Sequence, residues 1–276
     1  MLQANLYRIL IDTSPARVVL CKDYEEALSA YQVALYTYSA KLSTKRPLLC
    51  KEMRLRVGDD VRSFFIEFVE NLAQLRAFYA DENTLLITPI SSLIYPLPSQ
   101  KYCQNLRLAV GKDYRLQELK DTLIRYGYES VDMIEMEGEV SFRGDIVDIY
   151  PPLGKPYRIS FFGDECEEIS VFSIETQLKE QAREDSLTIP PALFSLDCGE
   201  YERLCEAVEE SDYQVMSKDM LSLGLWYLPH RELLPASYPS ILTTNAAREL
   251  AEIVSVDRGD GLESTCAELD LSLIHI

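Results

Sequence analysis

Apolar positions fall into two rhythms along the first hundred residues. Residues 17–21, Arg-Val-Val-Leu-Cys, form an almost continuous apolar run that predicts a buried strand, and Asp23 with Glu26 then makes a capping box for a helix. That helix is expected to carry Ala27, Leu28, Tyr31 and Leu35 on one face. Residues 47–50 predict the next strand. Asp59 or Asp60 is placed to cap a long amphipathic helix, because Val61, Phe64, Phe65, Phe68, Leu72, Leu75 and Phe78 recur at helical spacing. A third buried strand follows over 84–88, stopped by Pro89, with a short helix over 91–95. Strands alternating with helices imply parallel βαβ units and an open α/β sheet covered on its faces.

The rhythm changes after Pro96-Leu97-Pro98-Ser99, which has the composition of a linker. A second region begins near Leu106 with a strand over 108–110. Next comes a helix with an apolar stripe of Leu116, Leu119, Leu123 and Tyr126, ending at Gly127, and then a strand over 128–135. Residues 138–177 read GEVSFRGDIVDIYPPLGKPYRISFFGDECEEISVFSIETQ. Three runs rich in Val, Ile, Phe and Tyr are separated there by turn clusters, which predicts an antiparallel meander. Residues 187–191 are expected to lead out of the region. One helix against such a sheet buries one face and leaves the other wet.

Side chains alternate along a strand, so Tyr157, Ile159 and Phe161 share one face, and Arg158, Ser160 and Phe162 the other. Ser141, Arg143 and Asp145 alternate with Val140 and Phe142, which puts Arg143 on the polar side. Pairing of the two strands is expected to gather Arg143, Arg158 and Phe162 into one patch. Two readings fit: an aromatic among arginines is the usual make-up of a protein-binding hot spot, and equally Phe162 packs under a neighbouring element while the arginines are solvated.

Beyond residue 196, Tyr201, Leu204, Cys205 and Val208 suit a helix, 225–229 an aromatic contact segment, 240–244 a strand and 246–254 another helix. Trp226 and His230 are read as packing residues. The chain finishes on the apolar run 271–276, an odd end for a domain, and is read as an N-terminal fragment, with both a native and a non-native origin of those last residues left open.

Charge narrows the function. The 276 residues carry 45 acidic and 27 basic side chains, a formal charge of −18, with no basic cluster to hold a phosphate backbone. Seven cysteines without a CxxC pair, and two histidines, His230 and His275, give no zinc spacing. They are expected to be buried free thiols in a reducing compartment. No run is apolar and long enough to span a bilayer and residues 1–5 do not open a signal peptide, so a cytoplasmic protein is expected.

The first strand-to-helix turn, Val19-Leu20-Cys21-Lys22-Asp23-Tyr24-Glu25, has no glycine and carries carboxylates, so it cannot wrap a triphosphate. Lys22 and Lys112 are read as solvated charges. A carboxylate-pair hydrolase built on Asp145 and Asp148 is disfavoured, because three residues apart on one strand they point to opposite faces. Asp148 is instead expected to accept hydrogen bonds from backbone or arginine donors. Serine and cysteine nucleophiles are set aside for want of a histidine partner.

The run GExxxRGDIVDIYPP, then PYRISFFGDE and VFSIETQ, resembles the UvrB-homology region of bacterial transcription-repair coupling factors and, less closely, the excision-repair helicase UvrB. The resemblance implies a degenerate helicase-like parallel α/β domain, without a phosphate loop, interrupted by an inserted, mostly antiparallel α+β interaction domain. Its parts are 1–104, 105–195 and 196–276, the last a truncated return to the first domain. It implies binding of the damage-recognition subunit UvrA through Arg143, Arg158 and Phe162, so that Arg158→Ala or Phe162→Ala weakens that binding without unfolding the chain.

No catalytic, cofactor or metal residue is assigned. In the full-length family an ATP-dependent DNA translocase, using ATP and magnesium, displaces stalled RNA polymerase, and polymerase and DNA are bound by further domains. A C-terminal domain covers the UvrA-binding face there, so this fragment is expected to bind UvrA more readily than an intact protein does. The alternative is a UvrB-like nucleic-acid-dependent ATPase, which needs the phosphate loop that the first turn lacks.

Overall fold

A computed structural model describes residues 17–51, 61–94, 97–210, 231–232 and 240–242. Contacts divide the chain into two units, Met1–Ser99 with His230–Ile276, and Gln100–Pro229.

In the first unit, strand β1 (Val18–Cys21) is buried throughout. Helix α1 (Tyr24–Ser39) begins at Asp23, whose carboxylate accepts from Glu26 N at 2.9 Å, while the Glu26 carboxylate accepts from Lys22 N at 2.6 Å. One of the donors orphaned at the helix start is thereby satisfied, and the residue before the cap is tied to the first turn. Then come β2 (Arg46–Leu49), α2 (Val61–Ala80), β3 (Thr84–Pro89) and the short α3 (Ser91–Ile94). β3 pairs in parallel with both β1 and β2, as the alternation of elements requires.

Alternate residues of these strands feed two cores. Val19, Cys21, Leu85 and Ile87 meet α1, while Val18, Leu20, Leu48 and Leu86 pack with Leu75 and Phe78 of α2. The face of α1 differs from the expected one. Ala27, Ala30, Ala34 and Thr37 are buried, whereas Leu28 and Leu35 are exposed and Tyr31 is half-buried. Interaxial distance is set by the side chains at the contact, so small residues admit the helix close to the sheet, and the larger ones lie about 100° around the helix. Of the α2 stripe, Phe68, Leu72, Leu75 and Phe78 are buried; Asp59, Asp60 and the side chains of Val61, Phe64 and Phe65 lie outside the described residues.

The segment read as a linker is partly a strand: β4 (Leu97–Pro98) leads into a 3-10 turn over Gln100–Cys103. The second unit follows with β5 (Leu106–Ala109), α4 (Leu116–Arg125), β6 (Glu129–Ser130), β7 (Glu139–Arg143), β8 (Ile146–Ile149), β9 (Tyr157–Phe162), β10 (Glu165–Phe172), β11 (Lys179–Glu184), β12 (Ser186–Ile189) and α5 (Cys198–Glu210). Its described residues form a six-stranded sheet in the order β11-β10-β9-β8-β7-β6, antiparallel except for the β6 and β7 pair. Leu119 and Leu123 of α4 close one face over Val140, Val147, Ile149, Ile159, Phe161 and Ile169.

Two expectations change here. Only Glu129–Ser130 of 128–135 is a strand, because the following backbone is bonded by side chains instead of a ladder: the Glu139 carboxylate accepts from Glu135 N and Met136 N at 2.6 and 2.9 Å, and Ser141 Oγ donates to Asp132 O at 2.7 Å. The segment read as the exit is β12, paired antiparallel with β5, and its Leu187 and Ile189 join the core.

Gly127 ends α4 at φ +85°, and a Cβ there would fall 2.6 Å from Leu193 Cγ, so both backbone and packing require glycine. Asp197 and Glu200 cap α5 reciprocally, at 2.8 and 3.0 Å.

The chain returns to the first unit through β13 (Arg231–Glu232), antiparallel to β4, and β14 (Ser240–Leu242), parallel to β1. The parallel sheet thus reads β14-β1-β3-β2. Pro98 is tolerated in the β4 ribbon because it is not an interior strand. Segments 225–229, 246–254 and 271–276, with Trp226, His230 and His275, lie outside the described residues. Among those described, no helix is long and apolar enough to cross a membrane. Cys21, Cys50, Cys103 and Cys166 are buried thiols, Cys205 is half-buried and Cys198 is exposed. Burial pushes the Cys50 thiol up to about 12, as a structural thiol in apolar surroundings requires.

Candidate functional site, the open face of the antiparallel sheet

The meander fixes its side chains by register. Asp148 on β8 lies opposite Ser141 on β7 and Arg158 on β9, and Arg158 lies opposite Ser170 on β10. Directly opposed residues share a face, so these four and their alternates, including Arg143 and Phe162, stand on the side away from α4. The strands bearing Arg143 and Arg158 are not neighbours, however. β8 runs between them, and it supplies what holds them together.

Asp148 is 1% exposed and receives both guanidinium groups. Arg158 binds it at two points, Nε to Oδ1 at 2.7 Å and Nη2 to Oδ2 at 2.8 Å, while Arg143 Nη2 donates to the same Oδ2. This is the forked geometry for which arginine is suited, and the hydrogen bond to Asp148 raises the Arg158 pKa. Asp148 is the structural carboxylate that its sequence context indicates. Asp145 is not on a strand at all: it occupies the β7–β8 turn beside Gly144, so it forms no carboxylate pair with Asp148.

The three patch residues are not equally open to solvent. Phe162 is 76% exposed, at the last position of β9 before the Gly163-Asp164 turn. Arg143 has 45% of its side chain exposed and Arg158 only 13%. Arg158 differs because its Nη1 also donates to Gln177 O at 3.0 Å and its guanidinium lies 4.6 Å from the Phe172 ring centroid. Phe172 shares the polar face and is buried there. The expectation that Arg158 faces water therefore fails: the segment after β10 folds back over it.

A second group on this face was not legible in the sequence. Glu168 of β10 accepts from Lys179 Nζ at 2.7 Å and pairs with Arg183 Nε at 3.1 Å, both from β11. The hydrogen bond from Lys179 holds the Glu168 carboxyl below the usual range, helped by the charges of Lys179 and Arg183. The β10–β11 register shifts between Ser170 and Phe172, so simple alternation could not have placed Lys179 and Arg183. The one available signal was the polarity of β11, Lys-Glu-Gln-Ala-Arg-Glu.

The turn between β1 and α1 has the opposite character. Burial first, and then the carboxylates of Glu26 and Asp23, push the Cys21 thiol up, and Lys22 and Lys112 are both exposed. Among the described residues no group of His, Cys, Asp and Glu is arranged to hold a metal ion.

Comparison with known proteins bears on the face just described. The UvrB interaction domain family matches residues 106–194, a range that spans β5 to β12. A transcription-repair-coupling factor of Helicobacter pylori strain 26695 is 44% identical over 267 residues, 94% of this chain and 26% of that protein. Its counterpart in strain J99 is 42% identical over 268 residues, with the same coverage. The transcription-repair-coupling factor of Staphylococcus aureus RF122 is 34% identical over 110 residues, 39% of this chain and 9% of that protein. The chain thus spans about a quarter of the length of the Helicobacter relatives.

Proposed function

This chain is homologous to the transcription-repair-coupling factors over nearly all its length and carries a UvrB interaction domain, and on that footing we propose that its role in transcription-coupled repair is to recruit UvrA. The observation that carries this reading is Phe162, 76% exposed on the same sheet face as two arginines tied to one buried carboxylate. A large stiff ring that folding leaves in water, on the same face as guanidinium groups held by a buried carboxylate, is a low-entropy anchor for a protein partner. Phe162 and Arg143 meet UvrA directly; Arg158 acts from beneath, by fixing Asp148 and the 172–177 segment.

The chain itself is non-catalytic. Its parallel sheet is a helicase-like domain whose first turn has lost the phosphate loop, and the acidic surroundings of Cys21 support that reading. The family's division into 1–104, 105–195 and 196–276 differs from the division by contacts, which groups 196–229 with the interaction domain. ATP-driven DNA translocation, polymerase contact and masking by a C-terminal domain belong to parts of the family outside this chain.

Calorimetric titration of the chain with purified UvrA tests the reading. Saturable binding that disappears when Arg143, Arg158 and Phe162 are all replaced, in a variant whose thermal melt shows it folded, and that is also weakened by Phe162→Ala alone, is the expected result. Undiminished affinity of that triple variant, shown to be folded, would overturn it.

A further inference from the structure

The geometry points to a docking face that continues beyond the three residues onto β10 and β11, where Lys179 and Arg183 form a second cationic contact for an acidic surface of the protein partner. This deepens the reading above and rests on it. Arg183 stands opposite Ser170, which stands opposite Arg158, so Arg183 is on the docking side of the sheet. Lys179 Nζ reaches across to within 3.4 Å of Ser160 Oγ, next to Phe162 on the face of β9. The β11 cations are therefore continuous with the patch.

The two halves are built alike. Asp148 takes Arg143 and Arg158, and Glu168 takes Lys179 and Arg183. In each half the carboxylate is the sunken member. Asp148 is 1% exposed against 45% for Arg143, and Glu168 is 25% exposed against 78% for Arg183 and 36% for Lys179. An approaching surface meets the cations first, and because two cations share one carboxylate, each group keeps one positive charge in excess. On a chain of net charge −18, positive groups kept outermost beside an exposed ring select a partner with carboxylates around an apolar socket.

A nucleic acid is the poorer match. Its affinity comes from many uncompensated cations along a backbone, and here each group has only one positive charge in excess of its carboxylate, while the chain's overall charge repels phosphates.

The test follows UvrA association and dissociation at low and high ionic strength, for the wild-type chain, Lys179→Ala/Arg183→Ala, Arg183→Glu, Arg183→Lys and Phe162→Ala. Exposed rim charges act mainly on encounter, so the double variant should associate about tenfold more slowly at low salt, dissociate at the wild-type rate and converge on the wild type as salt rises. Arg183→Glu should be slower still, and Arg183→Lys, which keeps the charge, should match the wild type. Phe162→Ala should mainly hasten dissociation. Thermal melts check that the β11 variants are folded.

Unchanged association of both Lys179→Ala/Arg183→Ala and Arg183→Glu, with binding still weakened in Phe162→Ala, overturns the extended face and leaves the preceding reading standing. Absence of UvrA binding by the wild-type chain overturns both. Displacement of UvrA by a short DNA duplex that binds the wild type but not the β11 variants would reassign the cations to nucleic acid.

Discussion

Asp148 grips Arg158 with both oxygens, at 2.7 and 2.8 Å, across two paired strands in a position 1% exposed. Removing one member of a buried pair leaves a charge with no compensation, which costs about 3–5 kcal/mol. Asp148→Ala is expected to destabilise the second unit by roughly that amount, because it orphans two guanidinium groups. Arg158→Ala should be nearly as damaging, since Arg143 alone remains on the carboxylate, so the expectation from sequence that this substitution spares stability is replaced here. Arg143→Ala, at a half-open position, should change little. Urea unfolding followed by circular dichroism ranks the three, and equal midpoints for Asp148→Ala and the wild type would contradict the anchor role.

Phe162 offers the converse case, a large side chain with little to lose on truncation. Phe162→Ala should melt at the wild-type temperature and yet bind UvrA on the order of thirtyfold more weakly, the cost of losing a hot-spot ring. The pairing of an unchanged melt with a changed affinity is the signature to look for. A lowered melting temperature would mean that the ring is structural.

At Gly127 the chain must be left-handed and a Cβ would collide with Leu193. Gly127→Ala is expected to cost about 2 kcal/mol, combining backbone strain with overpacking. Chemical denaturation measures it, and a cost below a few tenths of a kcal/mol would show that Leu193 moves away freely.

Glu168 sets a pH dependence whose sign follows from its depressed pKa. The folded value lies below the ordinary 4.5, so its contribution is complete above 4.5 and is lost as pH falls through the depressed value. The pair is partly exposed, so the effect should stay below about 1 kcal/mol. Glu168→Gln should therefore be less stable than the wild type at neutral pH, and the gap should close in acid. A gap that persists at the lowest pH would point to packing instead of charge.

ATP with magnesium should leave the melting temperature unchanged, since a ligand held only by the folded state would raise it. A saturable increase would contradict the reading of the first turn.

Much of this architecture was open to sequence reasoning because it rests on local rules. Period-two alternation over 157–162 put Phe162 on the face opposite Phe161, and the structure leaves it exposed. The Asp23 and Glu26 box marked the start of α1, and Gly127 the end of α4. In each instance a few neighbouring residues carry the whole physical cause.

Other features depended on which distant segment arrives alongside. The sheet-facing side of α1 is the alanine side, since the strands beneath admit a close helix and apolar spacing alone favoured the larger residues. The lost strand after Ser130 was decided by Glu139 and Ser141, which bond the backbone that a ladder would otherwise have used.

The chain's letters by themselves determined which side chains leave β7 and β9 on the same side, because alternation is a property of the extended backbone. Only the tertiary structure decided that β8 would run between those strands with Asp148 to bind both arginines, that the segment after β10 would cover Arg158 and not Arg143, and that a break in register would bring Lys179 and Arg183 to Glu168. The physical reason is that the order of strands, and the place where pairing slips, are set by competition among long-range contacts, and no short stretch of sequence contains that competition.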